Sequence, residues 1–334
     1  MDKGDAKVGV AIPVYNGEKV LARAVASIQA QTLTDWEIVI VDDGSTDGTA
    51  RLADELASKD RRIRVIHQEN LGSYMARLNG ILSLGTEYFT SVDADDTIEP
   101  EMFDVMYGLA KHENLDLVEC DLSVDSANTG RVDLYKGRES VFNNYIEPVY
   151  LIGEGFLCVC GKLYRRGILS SVVGGNGFVN ARATLFEDVL FNAQVLHGIC
   201  NYGCVHKPYY NYSITVSSSV KNFNPKVLPG FCEAVWARKD YAFKYGVKPD
   251  DVRLSRWTAK NAMNLVMLAA SAKQKSLLVN ASHVKSVLSL PCVVEVSAKR
   301  EVLGFRQCWM FYILKHFPLI LFVACIKVRR LIKG

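Results

Sequence analysis

Glu37-Ile38-Val39-Ile40-Val41-Asp42-Asp43-Gly44 decides the fold class. Its apolar run does not alternate with polar residues. It therefore reads as a strand buried on both faces, stopped in a turn by two aspartates and a glycine. The same pattern recurs on either side. Val8–Ile12 is a β-rich run that stops at Pro13, Ile63–His67 is a third strand-sized run, and Tyr88–Val92 is a fourth that ends in an acidic cluster. Between them, Val20–Gln31 carries apolar residues at helical spacing. Ser45 or Thr46 can cap a helix reaching Ala57, and Gly72 turns the chain into a helix to Leu84. Pro100 starts another helix, and Asp116–Asp121 resembles a fifth strand. Strands alternating with helices predict an α/β fold, a mostly parallel sheet flanked by helices. In such sheets ligands bind beyond the carboxyl ends of the strands. Tyr15 and Asn16, then Asp42 and Asp43, then Asp93, Asp95 and Asp96 all fall at those ends.

Past Gly137 the pattern loosens. Cys158–Tyr164 reads as a strand, Glu187–His197 as a helix, and Tyr202–Val205 and Tyr209–Ile214 as two short strands. Long helical segments follow at Lys226–Tyr245 and Asp250–Lys273. The expected organisation is an α/β domain over 1–220, divided near 122, and a helical C-terminal region over 221–334. The chain has 334 residues, 49% hydrophobic and 22% charged, enough for a large core and inconsistent with a disordered, collagenous or coiled-coil chain. A net charge of +3 gives no argument for nucleic acid. Nine scattered cysteines without a CxxC pair, and a short polar Met1–Lys7, lead us to expect a reduced, cytosolic setting.

The acidic clusters carry the chemistry. Asp93, Asp95 and Asp96 repel one another unless something positive neutralises them, and oxygen ligands suit Mg²⁺ or Mn²⁺ bridging to a phosphate. Taken alone, the cluster is also compatible with a solvated turn capping the Pro100 helix. Asp42-Asp43-Gly44-Ser45 is similarly either a turn and cap or a seat for ribose hydroxyls or a base edge. The chain lacks GxGxxG after its first strand, a P-loop, GxSxG and HExxH.

Taken in order, Ile12-Pro13-Val14-Tyr15-Asn16, Val41-Asp42-Asp43-Gly44-Ser45-Thr46-Asp47, Asp93-Ala94-Asp95-Asp96 with Pro100, and Glu187-Asp188 resemble the family-2 glycosyltransferases of GT-A fold. The resemblance covers about the first two-thirds of the chain. It implies an inverting transferase that uses a nucleotide sugar. Pro13, Tyr15 and Asp43 would lie against the nucleoside, with Glu18, Ala94 and Lys162 also counted among the donor-binding residues. Asp93 and Asp95 would form the DxD motif and hold Mn²⁺ or Mg²⁺. Asp188 would be the general base and Glu187 would help position the acceptor. Family members often carry Ala-Arg-Asn after Asn-x-Gly. Here Asn70-Leu71-Gly72 leads to Ala76-Arg77-Leu78-Asn79, so Arg77 is retained as a contact to base or phosphates and Asn79 reads as an ordinary exposed helix residue. His206 would complete the metal shell, as a histidine does in some relatives, or serve a structural role. Lys162 would face the acceptor or diphosphate, or begin a surface helix.

From Ala298 onward there are eight basic residues and one acid, Glu301, interleaved with Cys308–Leu314 and Phe317–Ile326. Each apolar run is too short to span a bilayer, and the mixture of Trp309, Phe311, Tyr312 and cations suits a headgroup interface, the alternatives being a C-terminal helix packed on the catalytic domain with its cations solvated, or a re-entrant or short spanning helix. We therefore expect an inner-membrane surface as partner, a glycan or lipid-linked glycan as acceptor, a UDP-type nucleotide sugar as donor, and possible self-association. A sugar-phosphate nucleotidyltransferase would carry a basic glycine-rich loop after the first strand. A non-catalytic adaptor on a degenerate GT-A fold would have lost Asp95 or Asp188. Pro13-Val14-Tyr15-Asn16-Gly17 has no basic residue, and both aspartates are present.

Overall fold

A computed structural model of the chain describes residues 6–123, 129–152, 158–170, 186–213, 223, 225, 228–244, 246–248, 251–272, 276–299, 305–316 and 318–333. The chain divides into two compact units. One comprises Met1–Glu147 with Phe156–Ser213, and the other Pro148–Gly155 with Ile214–Gly334.

The first unit is built on one sheet. Its strands are β1 (Val8–Val14), β2 (Trp36–Asp42), β3 (Ile63–His67), β4 (Tyr88–Ser91), β5 (Thr97–Ile98), β6 (Leu117–Leu122), β7 (Val132–Lys136), β8 (Lys162–Arg165) and β9 (Asn201–Asn211). The spatial order is β3-β2-β1-β4-β8-β6-β9-β5, with β7 also pairing β9. From β3 to β4 every pairing is parallel. Helices α1 (Leu21–Gln29), α2 (Thr49–Lys59) and α3 (Ser73–Ser83) make the crossovers such pairing needs. Beyond β4 the sheet is mixed: β8 runs antiparallel to β4 and β6, β6 is parallel to β9, and β5 and β7 are antiparallel to β9. The core is the apolar run of each central strand. Val8, Val10, Ile12, Ile38 and Ile40 are fully buried, as are Leu21, Val25 and Ile28 on the inner face of α1. Each such side chain contributes about 1.5–3 kcal/mol by leaving water.

Several local expectations are corrected. Neither Ser45 nor Thr46 caps helix α2, which starts at Thr49 with Gly48 at the cap position, and Asp47 accepts from the Thr49 amide at 3.0 Å. Ser45 and Thr46 instead clasp the loop after β1: Ser45 Oγ accepts from the Asn16 amide at 2.9 Å, and the Thr46 amide donates to Asn16 Oδ1 at 2.8 Å. The strand expected over Cys158–Tyr164 is Lys162–Arg165, because Gly161 takes φ +70° and turns the chain just before it. The two strands expected at Tyr202–Val205 and Tyr209–Ile214 are one, β9. The register slips around Asp121, which absorbs Pro208, and Ile214 lies outside the described residues. Strand β7 escaped the sequence reading because it is a short edge strand, exposed along one side.

The second unit is helical: Leu228–Lys244, Val252–Ser271, Leu277–Leu288, Pro291–Ala298, Phe305–His316 and Leu319–Lys333. The first two lie within the expected segments, whose outer ends (226, 227, 245, 250, 273) fall outside the described residues. Asp251 and Ser276 cap their helices by accepting from Arg253 and Leu278 amides at 2.8 and 3.2 Å. The C-terminal basic run forms two helices that break around Pro318. Phe311, Leu314 and Val323 are buried, while Tyr312 and Leu321 are exposed. Among the described residues, no single helix is long and apolar enough to cross a membrane. Leu277–Leu288 and Pro291–Ala298 meet that length and composition together, bent by 72°.

Candidate active site

Asp93, Glu187 and Asp188 meet at one guanidinium. Arg77 sits on α3, which packs on β1 and β2 because Gly80 allows the backbones to close; a Cβ there would lie 2.9 Å from that of Ala11. The Arg77 side chain is 4% exposed, and its Nη2 donates to Asp93 Oδ1 at 2.6 Å. Nη1 lies 3.4 Å from Asp188 Oδ1 and 3.7 Å from Glu187 Oε1. Nε donates to Ser91 Oγ at 3.1 Å, and that hydroxyl in turn donates to the Ala11 carbonyl at 3.1 Å. All three edges of the fork are therefore used, as a buried arginine requires.

Glu187 and Asp188 open the helix Glu187–Val195, preceded by Phe186 at φ +65°. Acids in a first turn complement the helix dipole. Asn192 Nδ2 donates to the Asp188 carbonyl at 2.9 Å, and Tyr164 OH donates to Asn192 Oδ1 at 3.1 Å, so β8 steadies this turn. Burial raises the Asp188 carboxyl above the ordinary range; Arg77 opposes this, while Glu187 and Asp93 add to it.

The acidic turn after β4 is built on Tyr210. Its hydroxyl accepts from the Asp93 amide at 3.1 Å and donates to Asp96 Oδ2 at 2.7 Å, while the Ser213 amide donates to Asp96 Oδ1 at 2.7 Å. Asp96 is thus the buried anchor of the turn, its carboxyl pushed up to about 7 by burial and by Asp93. Asp95 is also raised, by burial and then by Asp93. Among the described residues no side chain donates to the Asp95 carboxylate, and Arg23 Nη2 donates to its carbonyl at 2.6 Å. Ligand atoms of Asp93, Asp96 and Cys160 lie within 4.8 Å of one another. Burial first and the Asp93 charge second raise Asp95 and Asp96, and the carboxylate oxygens of this turn are donors that suit a hard divalent ion.

Residues 9–173 match the family model described as Glycosyl transferase family 2. The chain is 31% identical over 227 residues to the protein EpsH of Bacillus subtilis, an alignment covering 66% of this chain and 64% of EpsH. The chain belongs to glycosyl transferase family 2. It is also 30% identical over 250 residues to the glycosyltransferase GlyA of Streptococcus pneumoniae, covering 70% of this chain but 34% of GlyA. The chain thus spans less than two-thirds of either relative. A crystal structure of residues 1–349 of S. aureus TarS superposes with a TM-score of 0.57 at 17% identity, covering 98% of this chain and 92% of that one. Further TarS 1–349 structures contain UDP and UDP-GlcNAc. The likeness shows the GT-A fold.

The other residues singled out in this family 2 chain are placed as follows. Tyr15 is 52% exposed at the end of β1, beside the half-buried Pro13. Glu18 Oε2 accepts from the Gly48 amide at 3.3 Å. Asp43 is buried, and its carboxylate accepts from Gln68 Nε2, the Leu71 amide and the Gly72 amide at 2.7, 2.8 and 2.9 Å. It therefore shapes the 68–72 loop, where Gly72 takes φ +91°. Asn79 is not an exposed helix residue: half-buried, it donates to Gln68 Oε1 at 2.8 Å and so supports Asp43 from behind. Lys162 does not begin a surface helix. It lies buried on β8, paired with Glu119 at 2.9 Å. His206 groups with Asp121 and Cys204, and Asp93 with Asp96 and Cys160, so the histidine stands outside the acidic turn. Arg77 as the common partner of three acids, and Tyr210 as the anchor of the turn, were missed. The one signal for Arg77 is polarity inside buried segments, Ser91 in β4 and Arg77 itself in α3.

Proposed function

We propose that this chain transfers a sugar with inversion from a UDP-type nucleotide sugar to the hydroxyl of a glycan or lipid-linked glycan. The observation that carries the reading is the convergence of Asp93, Glu187 and Asp188, from distant stretches of chain, on Arg77. Asp188 takes the proton of the acceptor hydroxyl as it attacks; burial has moved its carboxyl toward the neutral range where a base works best. Glu187 positions the acceptor. One base suffices for direct displacement on the face opposite the leaving group. Tyr15 offers an exposed ring to the base of the nucleotide, and Asp43 holds the loop that floors it. Arg77 holds Asp93 and Asp188 in register and balances their charge. Asp93 and Asp95 would hold Mn²⁺ or Mg²⁺, which when bound supplies Lewis-acid neutralisation of the leaving diphosphate. The UDP and UDP-GlcNAc complexes of TarS support the choice of nucleotide. The basic, aromatic C-terminal run supports an acceptor held at the inner face of a membrane.

The test is a panel of nucleotide sugars screened by thermal shift and by release of the free nucleotide with Mn²⁺ present. A UDP-sugar is expected to raise the melting temperature and be turned over, with loss of turnover on chelation. Turnover that survives chelation unchanged overturns the metal role. An Asp188→Asn protein that folds and keeps nearly full transfer overturns the base.

A further inference from the structure

Strands β6, β9 and β7 lie side by side, and their register sets a second group of ligands on one face. Glu119 pairs with Cys204, the register then slips so that Asp121 pairs with Pro208, and the slip leaves the Asp121 carboxylate 3.5 Å from the His206 ring. Asp133 of β7 also pairs with Cys204, and His206 is two residues beyond it. Ligand atoms of Asp121, Cys204 and His206 lie within 4.8 Å of one another. None of the three belongs to the group around Asp93.

The imidazole is already oriented. Its Nε2 lies 2.9 Å from Asp133 Oδ2, and that carboxylate is also held by Arg131 Nη2 at 2.8 Å. Arg131 Nη2 stands 3.5 Å from Nε2 itself. A proton on Nε2, donated to Asp133, leaves the Nδ1 lone pair facing Asp121 Oδ1 at 3.5 Å. That separation is too long for a good hydrogen bond. It is close to the roughly 3.4 Å that two ligands at about 2.0–2.1 Å from a tetrahedral ion keep between them. A carboxylate behind a metal-binding histidine is the usual outer partner, fixing tautomer and ring plane.

We propose that Asp121, Cys204 and His206 Nδ1 bind one Zn²⁺, or another thiophilic divalent ion, with Asp133 as the positioning carboxylate and water in the fourth place. One thiolate and one carboxylate balance the ion's charge, and the thiol proton passes to solvent on binding. A nitrogen and sulfur donor set selects zinc over the hard ions that suit the acidic turn. The side chains of Asp121 and His206 are 23% and 27% exposed, so the ion has a way in. Bound there, it would staple β6 to β9 directly and β7 through Asp133. It would also steady the backbone at 129–130, whose amides donate to the His206 carbonyl.

The test loads chelator-stripped full-length protein with Zn²⁺ in excess Mg²⁺, with a Cys160→Ser protein as the control for zinc held by the Asp93, Asp96 and Cys160 group. Metal content after gel filtration and melting temperature are then read. One equivalent retained with a raised melting temperature is expected. Cys204→Ser and His206→Ala should abolish retention, and Asp133→Asn should weaken affinity about 10–100-fold. Cys204→Ser changes one atom and serves if His206→Ala does not fold. Loading with Co²⁺ should add a sulfur-to-metal charge-transfer band that Cys204→Ser removes. Failure of the wild type to retain zinc, equal retention in Cys204→Ser, or a cobalt spectrum without that band overturns the proposal. Because no activity is measured, its failure is independent of the transferase reading.

Discussion

Asp93 and Asp188 approach different nitrogens of one buried guanidinium, Arg77 Nη2 standing 2.6 Å from the first and Nη1 3.4 Å from the second. Glu187 completes the set at 3.7 Å. One cation among three acids leaves the cluster short of positive charge. Burial first, then Glu187 and Asp93, raise Asp188 against the pull of Arg77, and burial and then Asp93 raise Asp95 in the neighbouring turn.

Removing the cation tests this directly. Arg77→Met keeps the volume but leaves the carboxylates uncompensated. Breaking a buried pair costs about 3–5 kcal/mol, and the low end applies here because Asp93 and Asp188 retain 32% and 29% of their exposure. Urea unfolding should show a loss of about 3 kcal/mol, and an unchanged midpoint would contradict the bridging role.

Asp188→Asn keeps shape and polarity while removing the base. Transfer should fall about 10²–10⁴-fold at saturating donor, with the melting temperature within a few degrees of wild type. A rise in the donor KM without loss of kcat would instead make Asp188 a binding residue.

Asp96 makes the acidic turn sensitive to pH. Its carboxyl is pushed up to about 7 in the fold, by burial first and Asp93 second, against about 3.9 in an unfolded chain. Between these values the folded protein holds a proton that the unfolded chain has released. This contribution to stability is therefore complete below about pH 4 and is lost as pH rises through about 7. In chelator, the free energy of unfolding should decline over that window by on the order of 2–4 kcal/mol. Asp96→Asn should flatten the decline, and parallel pH profiles for the two proteins would refute the assignment.

Asp43→Ala removes three charge-assisted hydrogen bonds from the 68–72 loop. Stability should drop by about 2–4 kcal/mol. UDP binding measured by calorimetry should weaken while the rate at saturating donor changes little. Full-strength UDP binding would show that the loop does not form part of the nucleotide seat.

The parallel half of the sheet was legible residue by residue. Val8–Val14 and Trp36–Asp42 are continuous apolar runs closed by turn residues, and that signal is local. The acids at the strand ends were legible for the same reason. The region from Val132 onward was harder because β7 is an exposed edge strand, β8 has four residues and β9 is bulged, so pairing rather than composition makes them strands.

What the sequence determined by itself is which residue types stand at the ends of which strands, because periodicity and turn chemistry act over a few residues. Which of those groups meet was decided by the tertiary structure. Asp43 turned inward to hold a loop, Lys162 went to Glu119, His206 joined Asp121 and Cys204, and Arg77 gathered Asp93, Glu187 and Asp188. A buried charge must find its partner through space, and the crossing of strands sets that distance, not separation along the chain.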